Sequence, residues 1–387
     1  MKNQLDVVQE SDSYITIYGM INIILCVVAA FMRVTIFARG ILLIATIIAI
    51  PFILFTVIGN RMFVISKFQS LLILFFLCSA LSSIAFGGFG VNSIKIQIAC
   101  ILVYYYFLNK REEEMLKKAL YVVAIFFIYA YFFKFEYYGG GIRRYISLQQ
   151  GVYLDPNLVG GSFIIPTALS VEKIIDDKSV RKKVMNIVFI ILSVYVNILG
   201  GSRGTLISML ISAGIVFLLK ARYDSKKIIY MFLVLLVLGV LFMRYSYLFP
   251  KEILFRFTAS SLEQSEGSGR VELLSRAINY MLNDDNIVHF LFGYGLGSAK
   301  YIIGKGIHNT AMDYLWGLGI SGFVFYLLLH YCIFCKCIKS KSALSIACLI
   351  SSLIWSMTLS LSNEIMYWIN LYCCIVFAQA HYIECKD

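Results

Sequence analysis

Charged residues are scarce in this chain. Of its 387 residues, 14% are Asp, Glu, Lys or Arg and 60% are hydrophobic. A soluble globular domain usually has about a quarter charged and about half apolar residues, so the composition excludes that class of protein. It indicates instead an integral membrane protein that crosses the bilayer many times.

The N-terminal segment lacks the features of a cleaved signal peptide. It is polar and acidic, without a basic stretch followed by a short apolar run and a small-residue cleavage site. We therefore expect the first membrane helix to direct insertion.

Cysteine and histidine do not form the patterns typical of disulfides or metal sites. The ten cysteines lie in apolar runs or beside lysines expected in the cytoplasm, and none falls in a predicted outside loop. No cysteine, histidine or carboxylate cluster accompanies His308 at ligand spacing. The sequence predicts no disulfide framework, no metal and no cofactor.

Long apolar runs predict an all-α integral membrane protein with about twelve transmembrane helices, because each run is long enough, or nearly so, to cross about 30 Å of hydrocarbon. The sequence shows no convincing internal repeat. Residues 1–387 are predicted to form a single polytopic membrane domain. The predicted spans lie near 14–31, 40–58, 70–86, 94–108, 119–134, 157–171, 185–199, 205–220, 228–248, 309–334, 343–362 and 365–381.

Basic residues predict the orientation of the chain. Lysine and arginine concentrate in alternate connections, and such connections stay in the cytoplasm during insertion. Both termini are then cytoplasmic, and residues 249–309 form one large extracytoplasmic loop between the ninth and tenth helices. The net charge of +12 reflects this topology, and no nucleic-acid partner is predicted.

The large loop is predicted to contain a short amphipathic helix lying on the membrane. Apolar residues recur at helical spacing between Val271 and Leu282, Ser268 is a plausible N-cap, and residues 283–286 are a stop signal. The glycine-rich segment 293–298 lacks the strand and downstream acid of a dinucleotide fingerprint. We interpret it as a flexible turn.

Arg203 is a candidate phosphate ligand on the outer face. It lies in Gly-Gly-Ser-Arg-Gly between two apolar runs, where a charge is costly unless it finds a partner. Its planar guanidinium suits phosphate, and a helix start at Thr205 would add exposed N–H groups. The alternative is an anchor that reaches the lipid headgroups.

Other arginines are predicted on the same face. Arg270 could reinforce the anion site, as could Arg143 and Arg144 from the loop 135–156, and several convergent arginines favour a multiply charged ligand. For Arg143, Arg144 and Arg276 the alternative is a structural ion pair. The candidate partners are Glu136, Asp155, Glu266 and Glu272.

His308 is the histidine best placed for chemistry. It directly precedes a predicted membrane helix on the arginine-bearing face, and a neutral imidazole can take a proton from a hydroxyl. A structural role is the alternative. His289, His330 and His381 are flanked by apolar residues or lie at the cytoplasmic end, and we interpret them as structural.

Taken together, these residues resemble a family, the bacterial O-antigen polymerases and ligases. The main match is His308-Asn309, nine residues, Gly319, two residues and Gly322, at the end of the family's large periplasmic loop. The resemblance covers most of the chain. Weaker matches are Asp155-Pro156-Asn157, Ser202-Arg203-Gly204, Ser268-Gly269-Arg270 and Phe292-Gly293-Tyr294-Gly295-Leu296-Gly297.

The resemblance implies a metal-independent, inverting glycosyltransferase of the bacterial inner membrane, active on its periplasmic face in lipopolysaccharide biosynthesis. It implies undecaprenyl-diphosphate-linked oligosaccharide as donor and acceptor, membrane lipid as surroundings, and a chain-length regulator as a further partner. Arg203 and Arg270 would hold the diphosphate, and His308 would be the catalytic base. The expected substrate contacts are Arg143, Arg144, Asp155, Asn157, Arg276 and Asn309.

Polymerase and ligase share these motifs and differ in acceptor, which is a second lipid-linked repeat unit or the lipid A core. The loosely kept motifs favour a polymerase. A lipid-linked oligosaccharide flippase or transporter would also span about twelve times, but it would be expected to place charges at the midplane of the bundle. In this sequence the charged residues are instead predicted at one membrane face of the helix bundle.

Overall fold

The computed structural model describes residues 110–137, 142–145, 154–221, 250–256, 269–362 and 364–384, with a few single residues elsewhere. Five predicted spans, near 14–31, 40–58, 70–86, 94–108 and 228–248, lie outside these ranges.

The described chain is mainly helical. Its helices and strands, in chain order, are α1 (Lys110–Phe133), β1 (Phe135–Tyr137), β2 (Arg143–Tyr145), α2 (Pro156–Asp176), α3 (Val180–Gly200), α4 (Arg203–Ala221), α5 (Lys251–Arg256), α6 (Arg270–Leu282), α7 (Ile287–Phe292), α8 (Ala299–Ile302), α9 (Thr310–Ser340), α10 (Ala343–Thr358) and α11 (Ile365–Glu384).

Five of these helices are long and apolar enough to cross a membrane, so the chain is a membrane protein. Two shorter apolar helices, Ala343–Thr358 and Met366–Ala380, follow them. All seven coincide with predicted spans. The five long helices are Arg111–Phe133, Pro156–Asp176, Val180–Gly200, Arg203–Ala221 and Thr310–Ser340.

Helix α2 lies at the centre of the described bundle and packs against α1, α3, α4, α10 and α11. Two glycines allow this close packing. A Cβ atom on Gly161 would lie 2.2 Å from the Trp355 ring, and one on Gly160 would lie 2.2 Å from the Thr205 hydroxyl oxygen. Small residues at helix contacts let helices approach closely within membranes.

A two-stranded antiparallel hairpin is an exception to the predicted all-α fold. Strands β1 and β2 pair within the predicted loop 135–156, with Glu136 opposite Arg144. Aromatic residues favour strands, and Phe135, Tyr137 and Tyr145 supply them here. Because the hairpin is so short, the chain remains mainly helical.

Helix α6 confirms the helix predicted between Val271 and Leu282. It begins after Gly269, which adopts a left-handed conformation as the N-cap, and it ends at the Asn283 C-cap. The predicted N-cap, Ser268, lies outside the described residues. The protein-facing side of α6 is formed by Leu273 and Ala277, whereas Val271 and Leu282 are exposed.

The glycine-rich segment contains the predicted turn, at residues 296–298, and it is hydrogen bonded to α9 beside a break in that helix. Helix α9 has a non-helical residue, Gly319, inside it. The backbone N–H of Tyr294 donates to the Trp316 carbonyl at 2.8 Å, and that of Gly295 donates to the Gly317 carbonyl at 3.0 Å.

Candidate functional site

The Asp-Pro-Asn motif starts helix α2. The Asp155 carboxylate is the N-cap and accepts from the Asn157 backbone N–H at 2.8 Å, and Pro156 occupies the first turn. The Asn157 side-chain N–H also donates to Asp155, at 2.9 Å. Both residues hold the helix start in place.

A buried polar network joins this motif to the start of α4. The Ser202 hydroxyl donates to the Asn157 side-chain oxygen at 2.7 Å, and it also hydrogen bonds to the Thr205 hydroxyl. The Thr205 hydroxyl donates to the Asn197 side-chain oxygen at 2.8 Å. Asn157 was predicted to contact substrate. In this structure the nitrogen and the oxygen of its side-chain amide both form hydrogen bonds with protein groups.

Arg203 is the first residue of α4 and lies beside Arg256. Its Nη1 atom donates to the Arg256 backbone carbonyl at 3.1 Å. Gly201, left-handed at the end of α3, makes room, because a Cβ atom there would lie 2.6 Å from Arg256 Nη1. The side chains of Arg203 and Arg256, which are far apart in sequence, thus both lie beside the turn at Gly201.

Arg270 adds a third positive charge. It is partly buried at the start of α6, and burial lowers its pKa while Asp155 opposes this change. Arginine stays protonated even so, because its ordinary pKa is very high. The Arg270 charge also acts on Arg203 and on His308, so it lies within electrostatic range of both.

His308 lies at the base of the large loop, directly before α9. It has a positive φ of 54°, uncommon for a residue other than glycine. Burial is the main cause that lowers the pKa of His308, Arg270 and Lys305 lower it further, and Asp155 opposes them. The imidazole is therefore neutral near pH 7 and keeps a lone pair.

The residues after His308 fix the helix start. The Asn309 side chain is the N-cap of α9 and accepts from the Met312 N–H at 3.1 Å. Thr310 joins the start of α9 to the segment after α10. Its hydroxyl donates to the Leu359 carbonyl at 2.7 Å and accepts from the Leu361 N–H at 2.9 Å. Asn309, predicted to contact substrate, serves here as a cap.

The remaining predicted arginines lie away from this centre or at its margin. Arg276 forms an ion pair with Glu272 one turn earlier on α6, and both side chains are more than half exposed, as the ion-pair alternative expects. The Arg143 guanidinium lies 4.2 Å from the centre of the Phe135 ring. Arg144 and Asp155 both act electrostatically on the Tyr131 hydroxyl, which places Arg144 at the margin of the site.

Two of the other histidines have structural contacts. His289 Nδ1 hydrogen bonds to Asp284 at 2.7 Å, and His330 Nε2 hydrogen bonds to the Tyr367 hydroxyl at 2.7 Å within the bundle. Within the described ranges, no group of three or more His, Cys, Asp or Glu residues could hold a metal ion.

Two contributors had no role predicted from the sequence. Arg256 belongs to no motif and ends the short helix that follows Pro250, in which three of the six residues are charged. Trp355 donates from its indole to the Asn157 carbonyl at 3.1 Å, although it lies in an ordinary apolar run. Such contacts depend on helix packing, which composition and spacing do not specify.

Comparison with protein-family models and with curated protein sequences finds no match for this chain. The function is therefore inferred from the motifs and from the geometry of the site.

Proposed function

We propose that the protein is an O-antigen polymerase that joins undecaprenyl-diphosphate-linked repeat units by metal-independent, inverting glycosyl transfer. One observation carries this proposal. Arg203 contacts Arg256, and Arg270 lies within electrostatic range of Arg203 and His308. A cationic cradle with a neutral imidazole beside it suits transfer from a diphosphate-activated donor.

The arginines would stabilise the leaving group. When the bond between the anomeric carbon and the diphosphate oxygen breaks, negative charge grows on the diphosphate. Preorganised positive donors lower the free energy of such a transition state, and guanidinium groups bind phosphate oxygens with two parallel hydrogen bonds. Arg203 and Arg270 are assigned this role, with Arg256 as an addition.

His308 would be the general base. The acceptor hydroxyl oxygen attacks the anomeric carbon, its proton passes to the imidazole, and undecaprenyl diphosphate leaves with the bonding electrons. A lowered pKa keeps the imidazole unprotonated before the reaction, and the nearby Asp155 stabilises the imidazolium that forms. The roles of base and leaving-group stabiliser thus fall to different residues.

The proposed site faces the periplasm in an inner-membrane protein with both termini in the cytoplasm. The basis is the distribution of lysine and arginine among the connections. In this orientation the large loop, the turn before Arg203 and the loop before Asp155 share one side, as the cradle requires.

An elongation assay tests the function. Purified protein in liposomes is given lipid-linked repeat units alone, and the expected product is a ladder of longer lipid-linked glycans. A second reaction adds lipid A core as acceptor, and transfer to it without a ladder would indicate a ligase. Movement of unextended substrate across the bilayer, without either product, would indicate a flippase.

A further inference from the structure

Helix α7, in the large loop, is covered with exposed apolar side chains. It has six residues, and five of them are large apolar residues that are exposed in the structure. A contiguous exposed apolar patch of this kind marks a surface that contacts another protein or the membrane. The exposed fractions are Ile287 63%, Val288 46%, Phe290 56%, Leu291 39% and Phe292 44%.

The position of α7 along α9 indicates its depth. The Ser321 hydroxyl donates to the Leu291 carbonyl at 2.7 Å. Lys336 marks one polar end of α9, and the hydrocarbon layer is about 30 Å thick. Ser321 lies after the break at Gly319 and 15 residues before Lys336, or about 22 Å at about 1.5 Å per residue, which places Leu291 about 8 Å inside the apolar layer.

The backbone that follows α7 meets the requirements of such a position. Non-helical backbone within a bilayer must be enclosed by protein, because lipid offers no hydrogen bonds. The segment after α7 is enclosed, since Gly293, Tyr294 and Gly295 are buried and the N–H groups of Tyr294 and Gly295 donate to carbonyls of α9. The one titratable side chain of α7, His289, bonds to Asp284.

The apolar surface of α7 continues onto a membrane-spanning helix. Residues three or four apart share one face of a helix, so Ser321, Val324, Leu328 and Tyr331 form a stripe on α9. Val324 is 43% exposed, Leu328 40% and Tyr331 63%. Because Ser321 holds Leu291, this stripe extends the surface of α7 along the span.

We propose that α7 is a re-entrant helix that dips into the bilayer and contacts the acyl chains of the adjacent leaflet. Its occupant is phospholipid hydrocarbon, continuous with the lipid that surrounds α9. Only residues 293–309 separate α7 from α9, and His308 lies near their end. Contact with the bilayer would thus fix the depth of the segment that carries His308.

Tryptophan fluorescence tests this assignment directly. The three native tryptophans, Trp316, Trp355 and Trp368, are at most 2% exposed, so their background quenching is small. A Phe290→Trp variant is reconstituted in phospholipid with brominated acyl chains and no polyprenyl lipid. We expect strong quenching by the bromines and little by aqueous iodide.

Matched variants calibrate the two quenchers. Leu328→Trp on α9 reports lipid exposure, and Asn279→Trp reports water exposure, because Asn279 shares a stripe of α6 with the charged residues Glu272 and Arg276. Val288→Trp is a second probe should Phe290→Trp misfold. A residue 290 probe that iodide quenches as strongly as at 279 would overturn the proposal. Protection from both quenchers would overturn it too, because protein would then cover α7.

Discussion

The Ser202 hydroxyl and the Asn157 side-chain oxygen are 2.7 Å apart, although the two residues are separated by 45 positions. This hydrogen bond joins the starts of α4 and α2. It places Arg203, the next residue after Ser202, on the same side of the bundle as the N-cap Asp155. Two motifs that are weak in sequence therefore form one structural unit.

Replacing Ser202 with Ala should destabilise the protein and weaken transfer. Ser202 is 1% exposed, and a buried acceptor left without its donor costs about 1–3 kcal/mol. Ser208→Ala is the matched control, since among the described residues the Ser208 hydroxyl bonds only to the Gly204 carbonyl in its own helix. Thermal unfolding in detergent gives the comparison, and equal losses in both variants would remove the special role of Ser202.

Within the described residues, helix positions were largely predictable, because apolar length and basic flanks are local properties of the sequence. The helix starts at Asp155 and near Arg203 were also predictable from the flanking turn residues. The approach of Arg256 to Arg203 was not. It depends on how segments 53 residues apart pack together, and no residue near Arg256 signals that contact.

The glycine-rich segment shows the same limit. Its composition is that of a turn, but Gly293 and Gly319 lie against each other, and a Cβ atom on Gly319 would lie 2.6 Å from the Gly293 nitrogen. Both have positive φ angles. The two ends of this contact belong to separate motifs in the sequence, so neither motif alone specifies it.

A Gly319→Ala variant should lose stability and activity together. The positive φ and extended ψ of Gly319 cost a non-glycine residue about 1–3 kcal/mol, and overpacking against the backbone of Leu291 and Gly293 adds about 1–3 kcal/mol. Gly214→Ala on α4 is the control, because nothing lies within 4 Å of its added Cβ atom. Thermal unfolding and elongation are measured for both. Retained stability in Gly319→Ala would contradict the tight contact.

Arg203→Lys should retain the charge and lose much of the activity. Lysine cannot reproduce two parallel hydrogen bonds to diphosphate oxygens. Loss of one such contact in the transition state costs about 2–4 kcal/mol, or about thirty- to a thousandfold in rate. Arg276→Lys is the control, because Arg276 is exposed and paired with Glu272. Near-normal elongation in Arg203→Lys at normal abundance would favour a lipid anchor.

Cysteine labelling tests the proposed topology. Position 226 should lie in the cytoplasm and position 300 outside; Lys226 itself lies outside the described residues. Single cysteines are introduced in a background without native cysteines, and intact spheroplasts are treated with an impermeant thiol reagent. Labelling at 226 without labelling at 300 would reverse the orientation.

His308→Gln should bind the lipid-linked donor like the wild type while elongation falls by about a hundredfold or more. Glutamine can keep a hydrogen bond but cannot accept a proton at neutral pH, and general-base catalysis contributes about a hundred- to ten-thousandfold. Donor binding and single-turnover elongation are measured side by side. His289→Gln is the control, because His289 bonds to Asp284 in the loop.

The pH dependence of the wild type separates a base from a residue that merely orients the glycan. Burial and the nearby Arg270 lower the pKa of His308, so the working neutral form persists below the ordinary value of about 6.5. The elongation rate should stay level from neutral pH down through that value and then fall, because protonated imidazole has no lone pair. In His308→Gln the residual rate should not show this acid limb. If the variant elongates within a few-fold of the wild type, or keeps the same acid limb, then His308 is not the base. It would then act as a structural residue before α9.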